Sequence, residues 1–131
     1  MLIRYNKNYE KIAMGLLSFN PNEKELQNLL KTINEYDKEQ NLQLYLWKED
    51  EGIIGVIGIE LFNNQEILLH HLSVNPSHRD KGFGKLMVEA LLELHPDKPL
   101  LATETTAPFV EKIDLNKSTE IQDKNKRPLT I

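Results

Sequence analysis

The sequence contains no cysteine among its 131 residues. This absence excludes disulfide bonds, thiolate metal ligands and a cysteine nucleophile, and it favours a reducing compartment. Long apolar runs are also missing, and no segment approaches the roughly 20 apolar residues that a membrane span requires. The N-terminus lacks the apolar stretch of a signal peptide. We therefore expect a cytoplasmic protein that does not interact with a membrane.

Positive charge is in deficit as well, with 16 Lys and Arg against 20 Asp and Glu, and the formal net charge is −4. Such a chain has no general attraction to phosphate backbones, so nucleic acid is not an expected partner. The length fits a single domain, and the sequence shows no repeats. Because the segment after residue 113 is polar and aperiodic, we predict one domain over residues 1–113 and a weakly ordered tail over residues 114–131.

The periodicity of the apolar residues predicts the order β-α-α-β-β-β-α-β-α. Alternation over residues 42–47, 53–62 and 67–74, with short turns between them, indicates an antiparallel meander. The second helix is predicted to begin at Pro21-Asn22 and to bury Leu26, Leu29, Leu30 and Ile33. The predicted fold class is α/β, a mixed sheet flanked by helices, without a recognisable strand after Ile113.

One loop, Arg79-Asp-Lys-Gly-Phe-Gly-Lys85, lies between an apolar strand and an amphipathic helix. A helix N-terminus offers unpaired N–H groups and a partial positive charge, which together bind phosphate oxygens. Gly82 and Gly84 allow the backbone to approach an anion, and Arg79, Lys81 and Lys85 add positive charge. The loop therefore predicts a phosphate site, although a glycine-containing turn that only joins two elements is the plain alternative.

Two common phosphate loops do not fit this segment. A Walker loop requires glycine where Arg79 stands and Ser or Thr where Leu86 stands. A dinucleotide fingerprint requires a small residue at the position of Met87.

A different pattern does fit, namely V-x-P followed by (R/Q)-x-x-G-x-(G/A), through Val74, Pro76, Arg79, Gly82 and Gly84. This run resembles the acetyl-CoA-binding motif of the GNAT superfamily of N-acetyltransferases, and the order of elements is similar up to about Ile113. Within that family, residues 14–19 and 46–50 are most similar to small members that bacilli encode beside riboflavin-synthesis enzymes.

The resemblance implies that acetyl-CoA is the cofactor and that the loop holds its pyrophosphate. The pantetheine arm would then pair with the strand end, where the neighbouring strands splay apart, and a backbone N–H there would polarise the thioester carbonyl. The implied CoA-binding residues are Leu72, Ser73, Val74, Arg79, Asp80, Lys81, Gly82, Phe83, Gly84 and Lys85.

A catalytic base is less clearly marked. Some members of the family place a histidine four residues before the motif valine, which here is His70, and an imidazole suits the task near neutral pH. Glu60 and Glu66 are fallback carboxylates. Because strand side chains alternate, His70 and His71 are expected to point to opposite faces and not to form a chelating pair. His71, His78 and His95 are expected to be structural or exposed, and no metal site is expected.

The usual acid of the family is missing. Many members carry a tyrosine on the last helix, and the alignment puts Val110 at that position; Glu104, Thr105 and Thr106 are the nearest polar residues before this helix. Two hypotheses stay open. The first is acetyl transfer, by direct attack, to a primary amine of a small molecule or a lysine. The second is a CoA-binding sensor without turnover. An acceptor site left open at the C-terminus could be completed by a second copy, so a homodimer is a further expectation.

Overall fold

The computed structural model describes residues 1–20, 23–50, 52–63 and 65–113. Its elements confirm the predicted order, so the fold class is α/β as expected. The predicted tail at 114–131, and any strand there, lie outside the described residues. The elements are β1 (Leu2–Arg4), α1 (Glu10–Leu17), α2 (Leu26–Lys38), β2 (Leu42–Glu49), β3 (Gly52–Phe62), β4 (Glu66–Val74), α3 (Phe83–Leu94), β5 (Leu100–Ala102) and α4 (Ala107–Lys112).

The strands form one five-stranded sheet in the order β1-β2-β3-β4-β5. The first four strands pair antiparallel, which confirms the meander, and β5 pairs parallel with β4. Parallel pairing extends only from Ile67–Leu100 to Leu69–Ala102, whereas β4 continues to Val74. Among the described residues, β4 therefore has no strand partner on its β5 side beyond Leu69, and the edge of residues 70–74 is open to that extent.

Each face of the sheet carries its own layer of helices. Because side chains alternate along a strand, Leu44 and Leu46 pack with α1 and α2, whereas Tyr45 and Trp47 face the layer of α3 and α4. The α3 layer is closed by Met87, Val88, Leu91 and Val110. Of the helices in the described ranges, none is both long and apolar enough to cross a bilayer.

The predicted face of α2 was partly wrong. The helix begins at Leu26, and Leu26 and Leu30 are 63% and 48% exposed. The buried residues are Leu29, Ile33 and Tyr36, which lie on one stripe at spacings of four and three. The sequence pattern counted only aliphatic residues as the buried face and so left out Tyr36. Tyr36 can be buried because its hydroxyl has a hydrogen-bond partner inside the fold.

Candidate active site

Strand β4 passes between two concave regions. Residues 72–74 line the first, which we call the α3 groove; it has a volume of about 510 Å³ and is lined by Phe19, Leu72, Ser73, Val74, His78, Arg79, Asp80, Gly82, Phe83, Gly84, Lys85, Phe109 and Ile113. His70 and His71 line the second, which we call the glutamate cavity; it has a volume of about 680 Å³ and is lined by Glu23, Thr32, Glu35, Tyr36, Glu39, Asn41, Leu42, Glu60, His70, His71, Thr103, Glu104 and Thr105.

A β-bulge brings both histidines into the glutamate cavity. Gly58 of β3 pairs with His71 and the next residue, Ile59, pairs with Leu69, so His70 has no partner on β3. The expectation that the two histidines point to opposite faces was therefore wrong, because the extra residue interrupts the alternation. The core shows the same interruption, since Leu69 before the bulge and Leu72 after it pack in the same layer. No group of three or more potential metal ligands occurs among the described residues.

His70 forms a pair with Glu60 of β3. Its Nε2 lies 2.8 Å from Oε1 of the carboxylate. An ionised carboxylate only accepts hydrogen bonds, so Nε2 carries the proton and Nδ1 of the neutral ring keeps its lone pair. Within the described part of the chain, Nδ1 has no hydrogen-bond partner. This arrangement leaves a nitrogen of His70 able to accept a proton.

His71, by contrast, has both ring nitrogens engaged. Its Nε2 lies 3.0 Å from Oε2 of Glu23, and its Nδ1 lies 2.6 Å from the hydroxyl of Tyr36. Burial alone would raise the pKa of Glu23, but hydrogen bonds from His71 and Thr32 outweigh it and lower that pKa below its usual value. Burial, followed by the charges of Glu23, Glu60 and Glu35, raises the pKa of Tyr36 well above its usual value. Tyr36 thus donates to His71, which in turn donates to Glu23.

Gly58 leaves room for the hydroxyl of Tyr36 to approach the backbone of β3. It pairs with His71 in the register of β3 and β4, and a methyl group at Gly58 would overlap the hydroxyl of Tyr36. The close approach of a tyrosine to a strand backbone requires a glycine there.

The charge of the glutamate cavity is one-sided. Its lining includes Glu23, Glu35, Glu39, Glu60 and Glu104, and it includes neither lysine nor arginine among the described residues. Of these glutamates, only Glu60 and Glu104 were expected from the sequence, because the others come from α2 and the residues just before and after it. Glu66 lies at the opposite end of β4, across from Phe62, and lines neither region.

The α3 groove contains the loop singled out in the sequence. The first helical hydrogen bond of α3 runs from the amide of Leu86 to the carbonyl of Gly82, so the amides of Phe83, Gly84 and Lys85 precede the helical ladder. Gly82 has a φ of 84°, which a glycine adopts without strain. Lys81 is absent from the residues that line the groove.

Gly84 has a packing role that its sequence position did not reveal. A Cβ at Gly84 would lie 2.8 Å from Cζ of Phe109, whereas one at Gly82 would meet nothing within 4 Å. The two glycines therefore serve different needs, a positive φ at Gly82 and the close packing of α4 at Gly84.

Arg79 is held on two sides of the groove. Its Nε donates to the carbonyl of Val74 at 2.9 Å, and its Cζ lies 5.0 Å from the ring centroid of Phe19. The Nη groups make no hydrogen bond within the described residues. They leave a planar pair of donors that can bind two phosphate oxygens.

Val110 of α4 has an apolar side chain, which cannot donate a proton. Val110 is buried in the α3 layer, 1% exposed. The hydroxyl of Thr106 donates to the carbonyl of Leu69 at 2.8 Å, and it fastens the start of α4 to β4. Glu104 and Thr105 do reach the rim of the glutamate cavity.

Comparison with known proteins identifies the family. A model of the acetyltransferase (GNAT) family matches residues 8–112. An uncharacterised N-acetyltransferase of Bacillus methanolicus, encoded in the lysA 3′ region, is 56% identical over 115 residues, which are 88% of this chain and 96% of that protein.

Two solved structures share the fold at low identity. An aminoglycoside N-acetyltransferase in complex with CoA has a TM-score of 0.65 at 15% identity, over 93% of this chain and 92% of its own. A spermidine N-acetyltransferase from Vibrio cholerae has a TM-score of 0.55 at 13% identity, over 71% of this chain and 61% of its own. On the family match and the close relative, the chain belongs to the GNAT family of acetyltransferases, which use acetyl-CoA.

Proposed function

We propose that the protein transfers the acetyl group of acetyl-CoA to a primary amine of a small acceptor that carries further positive charge. The observation that supports this most directly is the course of β4, which passes from the α3 groove into the glutamate cavity at the bulge containing His70. A donor in the groove and an acceptor in the cavity would meet at that bulge.

The α3 groove has the chemistry that CoA requires. The amides of Phe83, Gly84 and Lys85 suit the diphosphate, together with the Nη groups of Arg79, which have no partner among the described residues. The open edge of residues 72–74 offers main-chain groups to the pantetheine arm, and one of its N–H groups would stabilise charge on the thioester oxygen. Apolar contact comes from Phe83 and Phe109.

The glutamate cavity suits a cationic acceptor. Several carboxylates line this cavity, and no lysine or arginine of the described residues does, so it attracts positive charge and disfavours anions. The names of the structural neighbours, an aminoglycoside and a spermidine N-acetyltransferase, denote acceptors with several amines. This likeness supports the same acceptor class as the charge of the cavity does.

His70 is the proposed base. The acceptor amine must first lose a proton to water, because only the neutral amine attacks. As it attacks, Nδ1 of His70 takes one N–H proton, and Glu60 stabilises the imidazolium that forms. The amine nitrogen bonds to the thioester carbon, the C–S bond breaks, and the CoA thiolate departs. A thiol has a pKa of about 8.5, so its thiolate leaves without a dedicated acid. The valine at position 110 is compatible with this chemistry.

Thiol release from acetyl-CoA tests the proposal, measured with spermidine, a diamine, an uncharged-tail monoamine and a lysine peptide. We expect the highest kcat/KM with the polyamine. An equal kcat/KM for the monoamine would contradict the preference for a cationic acceptor but would still show acetyl transfer. CoA binding without acceptor-dependent thiol would favour a sensor, the alternative that the absent tyrosine motivates. Rapid turnover of the peptide alone would favour a protein lysine.

Three finer expectations stay predictions. A link to riboflavin metabolism rests on sequence resemblance, and amine intermediates of riboflavin synthesis belong in the same panel. A homodimer is tested by the mass of the protein in solution. Cytoplasmic location is tested by fractionation of the cells that express it.

A further inference from the structure

Phe19 is an aromatic side chain in a position that packing does not explain. It follows α1 and is 45% exposed, although it lies at the rim of the α3 groove. Its ring faces the guanidinium of Arg79 at 5.0 Å. An aromatic ring in that geometry attracts a cation and limits the directions that the guanidinium can take.

The segment that carries Phe19 is fixed to β4. The side-chain amide of Asn20 is buried and donates to the hydroxyl of Ser73 at 2.7 Å and to the carbonyl of Leu17 at 2.9 Å. Glu23, three residues later, is bonded to His71. Phe19 therefore stands over the groove on a backbone anchored on its C-terminal side, and its ring is held in place before a ligand arrives.

Some groups of the Arg79 guanidinium already have partners, and others do not. Nε is occupied by the carbonyl of Val74, one face is covered by Phe19, and the Nη groups have no partner in the described residues. An arginine restrained in this way loses less side-chain entropy when it binds, because its free donors already point in one direction.

We propose that Phe19 is a positioning residue for the donor's diphosphate, acting through Arg79 and not through contact with the acetyl or pantetheine part. This inference rests on the placement of the CoA diphosphate in the α3 groove. It assigns to the segment between α1 and α2 a part in donor binding that the loop motif of residues 74–84 does not contain.

The experiment compares three ligands. CoA and 3′-dephospho-CoA differ only in the 3′-phosphate and both carry the diphosphate, whereas acetyl-pantetheine lacks the adenosine and the diphosphate together. Phe19→Leu keeps apolar bulk but removes the π face, so we expect Kd to rise roughly two- to fivefold for the first two ligands. It should leave the KM of acetyl-pantetheine unchanged. Phe19→Tyr should bind all three as the wild type does, and Ile12→Ala, an exposed apolar change on α1 outside the groove, is the matched control.

A double-mutant cycle with Arg79→Gln separates the possible outcomes. Arg79→Gln should weaken CoA by roughly tenfold, and adding Phe19→Leu should then cost nothing more. If Phe19→Leu weakens acetyl-pantetheine as much as CoA, or retains its full effect beside Arg79→Gln, Phe19 contacts the ligand itself and the proposal is wrong. If Arg79→Gln weakens the binding of CoA and of acetyl-pantetheine equally, the diphosphate does not bind at Arg79. The proposed placement of the donor is then wrong, whatever Phe19 does.

Discussion

The α3 groove and the glutamate cavity meet along β4, yet they are built in opposite ways. The groove comes largely from one continuous segment, residues 72–85, and its cations are Arg79 and Lys85. The cavity draws its glutamates from α2 and the segments on either side of it, from β3, and from the segment after β5. One region has the charge that suits a polyanionic donor, and the other has the charge that suits a cationic acceptor.

The difference shows how two substrates of opposite charge can be kept apart on so small a sheet. A cation is disfavoured beside Arg79, and a diphosphate is disfavoured beside the glutamates, so each region rejects the ligand of the other. Strand β4 changes from lining the cavity to lining the groove between His71 and Leu72, just after the bulge at His70.

The largest effect is expected at the boundary itself. His70→Ala removes the nitrogen that we propose as the acceptor of the amine proton, and we expect kcat to fall by about 100-fold or more. Kd for CoA should stay unchanged, because His70 lies in the cavity and not in the groove. Added imidazole should restore part of the rate. Steady-state kinetics and a CoA titration measure both quantities.

Glu66→Gln is the matched control, since Glu66 belongs to the same strand but lines neither region. A full loss of activity in Glu66→Gln, or wild-type kcat in His70→Ala, would show that the reaction does not take place at His70.

Sequence patterns anticipated the groove much better than the cavity, for a physical reason. The groove is built from local features, namely a strand, a turn with Gly82 and the start of a helix. The spacing of Val74, Arg79 and Gly84 in the sequence is therefore enough to predict it. The cavity depends on contacts between distant residues. Glu23 and His71 lie 48 positions apart, and Tyr36 and His71 lie 35 apart.

The bulge was hidden from the sequence for a related reason. Residues 67–74 alternate well enough to predict a strand, but the partner strand decides where the register shifts. An apolar run gives no sign of an unpaired residue at His70. The prediction for the histidines therefore failed, although the strand, its neighbours and the fold class were right.

The second largest effect concerns the floor of the cavity. Gly58→Ala places a methyl group on the hydroxyl of Tyr36, and we expect it to lower the free energy of unfolding by about 1–3 kcal/mol. Urea unfolding measures this, and the acceptor KM should rise with it because Tyr36 lines the cavity.

Gly15→Ala provides the contrast on α1, where a new methyl group meets nothing within 4 Å. There alanine should raise the free energy of unfolding by about 0.5–1 kcal/mol through helix propensity. If both substitutions destabilise the protein equally, the effect at Gly58 does not come from the contact with Tyr36.

Acid tests the charge of the cavity wall. The pKa of Glu23 is lower in the folded protein than its usual value of 4.5, so its carboxylate stabilises the fold above that value and loses this contribution as the pH falls through the folded pKa. Glu23→Gln should therefore be less stable than the wild type at pH 7, by about 1 kcal/mol, with the gap closing on acidification.

Melting temperatures of the two proteins between pH 7 and pH 3.5 measure that gap. Glu93→Gln, a change of the same kind at an exposed position on α3, should show no such convergence. A gap that widens in acid would contradict the lowered pKa of Glu23.

The smallest effect is expected at the rim of the cavity. Glu35 and Glu39 are exposed and line its mouth, where water and salt screen their charges. Glu35→Gln and Glu39→Gln should each raise the KM for a polyamine about twofold without changing kcat, because a screened surface charge contributes little. The KM for a monoamine should rise less, and the difference should shrink in high salt. Glu93→Gln is again the control for net charge. If the variants raise the KM for CoA instead, the two regions are not separated by charge, and the cavity serves the donor as well as the acceptor.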